Sequence, residues 1–91
     1  MRTVITGVKT VTATAAEIFA GASRLAGRRF MAVCNQSASI RIRIGGSAVT
    51  QQNGFPLEPG ALFVFWFDPS VDVPVYAISE GSAVDVAVME W

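Results

Sequence analysis

Residues 40–44 read Ile40-Arg41-Ile42-Arg43-Ile44, an unbroken alternation of apolar and charged side chains. A helix would scatter these isoleucines around its axis. A strand sends successive side chains to opposite faces and gathers all three on one side. Ser39 to Ile44 is therefore expected as a strand with Ile40, Ile42 and Ile44 on the core face and Arg41 and Arg43 outside. The rest of the chain carries the same bias. Twelve Val, six Ile and six Thr stand against three Leu and one Lys, and β-branched side chains suit a pleated sheet better than a helix. Eight Gly and four Pro are spread along the sequence as turn punctuation. Ninety-one residues make one small domain. The expected fold is all-β: a single antiparallel β-sandwich or jelly-roll-like domain of seven to eight strands.

Within that domain, residues 1–27 are expected to form an N-terminal arm and the first strands, and residues 28–91 the sandwich body. Met1 to Gly7 is a strand or an arm that pairs with something else. Lys9 to Thr14 reads as a strand, and a short one is expected around Ile18 and Phe19. Gly21 to Arg28 is then a polar connection. Arg29 to Asn35 is nearly all apolar, so both faces of that strand should be covered. Asn35-Gln36-Ser37-Ala38 is turn chemistry, which predicts a hairpin between this strand and Ser39 to Ile44. Ser47 to Pro59 is a long loop expected to fold on itself, with Val49, Phe55 and Leu57 against the body. Asn53-Gly54 is a type I′ turn signal, and Pro59-Gly60 suits a type II turn. In Ala61 to Phe67, alternation places Phe63, Phe65 and Phe67 on one face and Leu62, Val64 and Trp66 on the other. A sandwich core covers only one of them. Asp68-Pro69-Ser70 ends that strand. Val73 to Ser79 and Ala83 to Trp91 are the last two; in the final strand Val84, Val86 and Val88 face one way and Asp85, Met89 and Trp91 the other, with Ala87 between them.

The chemistry available is limited. The chain has no histidine, hence neither the commonest general base nor the commonest metal ligand. A net charge of zero and a pI near 6.1 argue against direct nucleic-acid binding by counterion release. No run of 18 apolar residues predicts a membrane span, and the first residues lack the pattern of a leader peptide. Cys34 is alone; its apolar neighbours and the missing histidine make it a buried structural thiol. Asp68 and Asp72 are the closest carboxylate pair for glycoside cleavage, yet they flank a turn where acids are ordinarily solvated. Glu58 and Glu80, beside turn residues, read the same way. Gly45-Gly46-Ser47 lacks the Lys and the helix of a phosphate loop. No catalytic residue, cofactor or metal is expected.

Two features point to partners. Arg41 and Arg43 share a strand face, and Arg28-Arg29 adds charge nearby, a patch suited to a protein carboxylate rather than to nucleic acid. Against this, arginines on an outer strand face often only solvate it. The second feature is surplus apolar surface: 52% of the residues are hydrophobic in a domain that buries only about 60–65% of its unfolded surface. Phe55, Trp66 and Trp91 are the anchors expected to remain exposed, unless Trp66 packs beneath the long loop. The interface candidates are thus Phe55, Trp66, Trp91, Arg41 and Arg43.

The order of signals carries a resemblance. Arg28-Arg29-Phe30-Met31-Ala32-Val33-Cys34-Asn35-Gln36-Ser37 precedes Ile40-Arg41-Ile42-Arg43-Ile44-Gly45. Val49-Thr50-Gln51-Gln52-Asn53-Gly54-Phe55-Pro56-Leu57 and Pro59-Gly60 come next, and Tyr76-Ala77-Ile78-Ser79 and Val84-Asp85-Val86-Ala87-Val88-Met89-Glu90 follow. Over roughly residues 28 to 90 this resembles the small β-sandwich virion proteins of tailed bacteriophages, among them capsid decoration (cement) proteins and head or tail accessory proteins. The resemblance implies a non-enzymatic protein located in the virion. Its partners would be the phage major capsid protein or other virion subunits, with self-association expected and a trimer slightly preferred. The alternative expectation is a carbohydrate- or receptor-binding module of a tail or head fibre, stacking sugars on Trp66 or Trp91. A glycosidase built on the acids is the third.

Overall fold

The computed structural model describes residues 3–91. Met1 and Arg2, the start of the expected arm, lie outside the described residues. Eight strands form: β1 (Ile5–Val11), β2 (Ala16–Glu17), β3 (Phe30–Asn35), β4 (Ile42–Gly45), β5 (Phe55–Leu57), β6 (Leu62–Trp66), β7 (Tyr76–Ser79) and β8 (Val84–Glu90). One sheet has the order β1-β8-β3-β6 and the other β2-β7-β4-β5. Every pairing is antiparallel. Successive strands mostly change sheet, and each sheet has its earliest strand beside its latest. This is the jelly-roll arrangement, the all-β fold expected from the sequence.

Period-two patterning drives the assembly. Val84, Val86 and Val88 of β8 and Met31 and Val33 of β3 point inward from the first sheet. Ile42, Ile44, Leu57 and Ala77 meet them from the second, with Val11, Ile18 and Val75 closing the ends. The accessible surface is 4997 Å², close to the about 5100 Å² that a folded monomer of this mass exposes. The chain thus has the surface of an ordinary compact domain of its size.

Several local expectations are corrected. The predicted hairpin between Arg29–Asn35 and Ser39–Ile44 does not form, because β3 already has β8 on one edge and β6 on the other. The chain instead crosses between sheets. The fully buried Asn35 side chain secures the crossing, its amide donating to the carbonyls of Ile40 and Leu57 at 2.9 and 3.0 Å and its oxygen accepting the Ser37 N–H. Ile40 and Arg41 lie in that crossing, so the strand begins at Ile42. The long loop is shorter than expected, since Phe55–Leu57 pairs with β4. Val49 and Leu57 are buried, but Phe55 is 58% exposed and does not tuck in.

Turn chemistry divides likewise. Gly60 has φ +78° and the Ala61 N–H donates to the Glu58 carbonyl at 2.9 Å, as the expected type II turn requires. The type I′ turn at Asn53-Gly54 is absent, because no described non-glycine residue has positive φ. Gly54 donates back to the Thr50 carbonyl at 3.1 Å. Glycine is needed there for space: a Cβ would sit 2.5 Å from the Cβ of Arg43. At the N-terminal side, β1 pairs with β8 along its whole length, from Ile5 opposite Glu90 to Val11 opposite Val84. The strand expected around Ile18 and Phe19 lies two residues earlier, at β2.

Candidate interaction surface

Charge is concentrated away from the outer face of the β1-β8-β3-β6 sheet. Strand alternation places Leu62, Val64 and Trp66 of β6 on that face. Register puts Cys34, Ala32 and Phe30 of β3 opposite them in turn, and carries the row on to Ala87 and Met89 of β8 and Val8 of β1. Trp91 continues the outward parity of β8. The one charged side chain on these strands' outer positions is Asp85, whose Oδ1 accepts the Thr10 hydroxyl at 2.8 Å. Ala32, Cys34 and Ala87 in the middle of the central strands are small, so the face is a shallow trough there, between an apolar β6 rim and a β1 rim of Thr6, Val8 and Thr10, and Phe30 and Met89 fill it at the tryptophan end. Trp66 is 73% exposed, Val8 63% and Leu62 62%. With Val64 and Trp91 these residues present roughly 600 Å² of accessible surface, at the top of the range for the largest apolar patch of a typical monomer.

An aromatic cluster anchors one end. Phe30 is nearly buried because Trp66 meets it edge-on at 5.0 Å and Trp91 leans on its other side at 5.3 Å. Two of the five interface candidates, Trp66 and Trp91, are thereby brought together, and Trp66 is not covered by the long loop. Phe55 is exposed elsewhere, at the open side between the sheets, edge-on to Phe63 at 5.1 Å. From there Phe63, Phe65 and Phe67 run as a half-buried aromatic row along the inner side of β6.

Arg43 lies on β4 of the other sheet and Arg41 in the crossing just before it, both already engaged. Arg41 grips Glu80 through Nε at 2.7 Å and Nη2 at 3.1 Å and reaches Glu58 at 3.2 Å. Arg43 Nε donates to the same Glu80 carboxylate at 2.6 Å and its Nη1 to the Gly54 carbonyl at 2.9 Å. The bonds from Arg41, then Arg43, pull the Glu80 carboxyl down from 4.5 to about 2. In return the Arg41 guanidinium is raised, chiefly by its hydrogen bond to Glu80. The carboxylate that these arginines suit is therefore their own chain's. Glu80, which looked like an ordinary turn acid, is the centre of the cluster; the alternating arginines carry no signal for it because it lies 37 residues beyond Arg43.

The Arg28-Arg29 patch is also corrected. Arg28 is 4% exposed and paired at 2.5 Å with the fully buried Glu90. Cys34, expected to be buried, is half-exposed on the apolar face. Asp68 is capped by the Ser70 N–H and hydroxyl at 2.9 and 2.7 Å, which lowers its pKa, the backbone bond contributing most. Asp72 pairs with Arg24 at 3.1 Å and Glu17 with the same Arg24 at 3.4 Å. These groups border a cavity of about 450 Å³ beside the 69–72 turn. Among the described residues, no three His, Cys, Asp or Glu side chains come together as metal ligands would.

No protein family, curated protein or solved structure matches this chain.

Proposed function

We propose that this protein is a non-catalytic structural component of a bacteriophage virion, a capsid decoration protein that clamps neighbouring subunits of the shell. The observation that carries the reading is the apolar outer face of the β1-β8-β3-β6 sheet. A contiguous patch with aromatic anchors at one end and no free charge at its centre has the composition of a protein-binding surface. Burying it against a shell subunit releases ordered water and stabilises the contact without chemistry. The phage and capsid assignment rests on the resemblance of residues 28 to 90. Fold alone does not choose, because jelly rolls serve capsid and lectin domains alike. What favours a protein over a sugar is the neighbourhood of the tryptophans. Phe30, Ala32, Val64 and Met89 surround them where a glycan site needs hydrogen-bonding side chains.

The test is co-sedimentation of the purified chain with assembled shells of the major capsid protein from the phage that encodes it, beside a glycan array. Saturable binding to shells, weakened at least tenfold by Trp66→Ala, is the expected result. The variant should keep its fold, since Trp66 contributes little beyond its edge-on contact with Phe30. Binding that ignores Trp66→Ala, or glycan binding that Trp66→Ala abolishes, overturns the reading.

A further inference from the structure

We propose that β6 is the pairing edge for a second copy of this chain, two β6 strands meeting antiparallel about a twofold axis at Val64 to make one continuous eight-stranded sheet. The pairing needs no capsid and stands or falls separately from the function proposed above.

Four strands lie at sheet edges: β1, β6, β2 and β5. An open edge invites pairing, and sequences blunt it with charge, proline or brevity. β1 carries Lys9 and Gly7, β5 is three residues with Pro56 at its centre, and β2 has two residues. β6 has none of these devices; all five of its residues, Leu62 to Trp66, are apolar.

Its free backbone groups are identifiable. Asn35 donates to the Ala61 carbonyl and Phe67 to the Arg29 carbonyl. Bonding alternates along an antiparallel pair, so Phe63 and Phe65 spend their N–H and C=O on β3. The groups of Leu62, Val64 and Trp66 therefore point outward. A twofold axis at Val64 sets Val64 opposite its own copy and Leu62 opposite Trp66 of the second copy, and these are the pairs that exchange hydrogen bonds. Phe63 then faces Phe65 of the second copy, covering an aromatic row that the short β5 leaves half-exposed. No charge within β6 meets its like across the axis. The pairing also places the two apolar outer faces side by side on one surface. A strand pair closes on itself, so this proposal replaces the threefold ring expected from the resemblance with a dimer.

Sedimentation equilibrium on the full chain alone, from micromolar to near-millimolar concentration, tests it. The expected result is a reversible dimer, with Val64→Pro at least tenfold weaker in self-association and unchanged in far-UV circular dichroism. Proline at an outward-pointing edge position forfeits no bond within the chain. Should that variant misfold, Val64→Lys opposes two charges at the axis and is expected to give the same dissociation. Val8→Lys, on the far rim of the same face, is expected to leave the dimer intact. A wild-type monomer throughout the range overturns the proposal, as does a dimer that survives both Val64 variants or is dissociated by Val8→Lys. A dimer without affinity for shells leaves the pairing standing and removes the capsid reading.

Discussion

Replacing Arg28 by alanine should destabilise this domain more than any exposed substitution, for a reason that can be worked through atom by atom. The Glu90 carboxylate is wholly enclosed. Its Oε1 accepts the Ala20 N–H at 2.7 Å, and its Oε2 accepts Arg28 Nη1 at 2.5 Å and the Leu25 N–H at 3.3 Å. Arg28 in turn donates Nη2 to the Val73 carbonyl at 2.5 Å and lies 4.6 Å over the Phe67 ring. One ion pair thus ties the 18–28 connection, the end of β8 and the segment before β7 together. Arg28→Ala leaves a buried carboxylate with two backbone donors and no counter-charge, at a cost of about 3–5 kcal/mol. A 91-residue domain has only about 5–14 kcal/mol in total, so the variant should approach the unfolding threshold. Glu90→Gln keeps an acceptor for Ala20 while removing the stranded charge, and in the Arg28→Ala background it should restore part of the loss. Urea unfolding of the two single variants and the double closes the cycle. The Val64→Pro background keeps dimerisation from contributing to the apparent stability. An Arg28→Ala cost under about 1 kcal/mol at constant m, or a double variant less stable than Arg28→Ala, would refute the reasoning.

Two further outcomes follow from the charge cluster and from close packing. Glu80 is held near 2 by Arg41 and Arg43 against an ordinary 4.5, so its contribution to stability is full above about 4.5 and is lost as pH falls from there towards about 2. Glu80→Gln should flatten that part of a plot of urea midpoint against pH, leaving a residual slope from Asp68; an unchanged profile would count against the cluster. A Cβ at Gly7 would lie 2.1 Å from the backbone oxygen of Ala20, which no side-chain rotation relieves. Gly7→Ala should therefore cost about 1–3 kcal/mol or more by thermal unfolding, whereas Gly46→Ala, which meets nothing within 4 Å, should stay within about 0.5 kcal/mol.

The legible part of the fold was whatever one strand states by itself. Period two assigned the core face in Ile42–Ile44 and separated the two faces in Val84–Val88 and in Leu62–Trp66 without saying which is buried, and β-branched excess assigned the class. Strand partnership was not legible. Asn35 to Ala38 has turn chemistry whether the chain reverses within a sheet or crosses between two, and the decision lay with β6 and β8, which occupy both edges of β3. Asn53-Gly54 misled for a related reason: the pair serves a left-handed turn by conformation, but here the glycine is required by the nearness of Arg43 and Val49. The apolar face was half visible. Leu62, Val64 and Trp66 showed one rim, while Ala32, Cys34, Ala87 and Met89 are unremarkable until register sets them side by side. Glu90 ended a strand whose alternation already placed it with Val84, Val86 and Val88, so its place on their face was available; its partner Arg28 looked like surface charge because Arg29 follows it.

The distribution of charge joins these observations to the interaction surface. All seven carboxylates have a partner within the chain: Glu17 and Asp72 share Arg24, Glu58 and Glu80 hold Arg41, and Glu80 also binds Arg43. Glu90 takes Arg28, and Asp68 and Asp85 rest on the hydroxyls of Ser70 and Thr10. The domain thus uses its acids to fix its own loops and crossings. Those pairs cluster at the ends and on the β2-β7-β4-β5 side, where long connections need fixing. The opposite sheet is held by long strands paired along their lengths, and its ionic tie, Glu90 to Arg28, lies on the inner side. Its outer face can therefore remain apolar at no cost to the fold, and the cost appears only in solution, as apolar surface in water. Coverage by a second copy along β6 and by a protein partner over the trough would remove that cost, and the two use different atoms: backbone edge groups for the first, side-chain tips for the second. Val64→Pro and Trp66→Ala separate them, because the first withdraws an outward N–H at the rim and the second removes the anchor of the face.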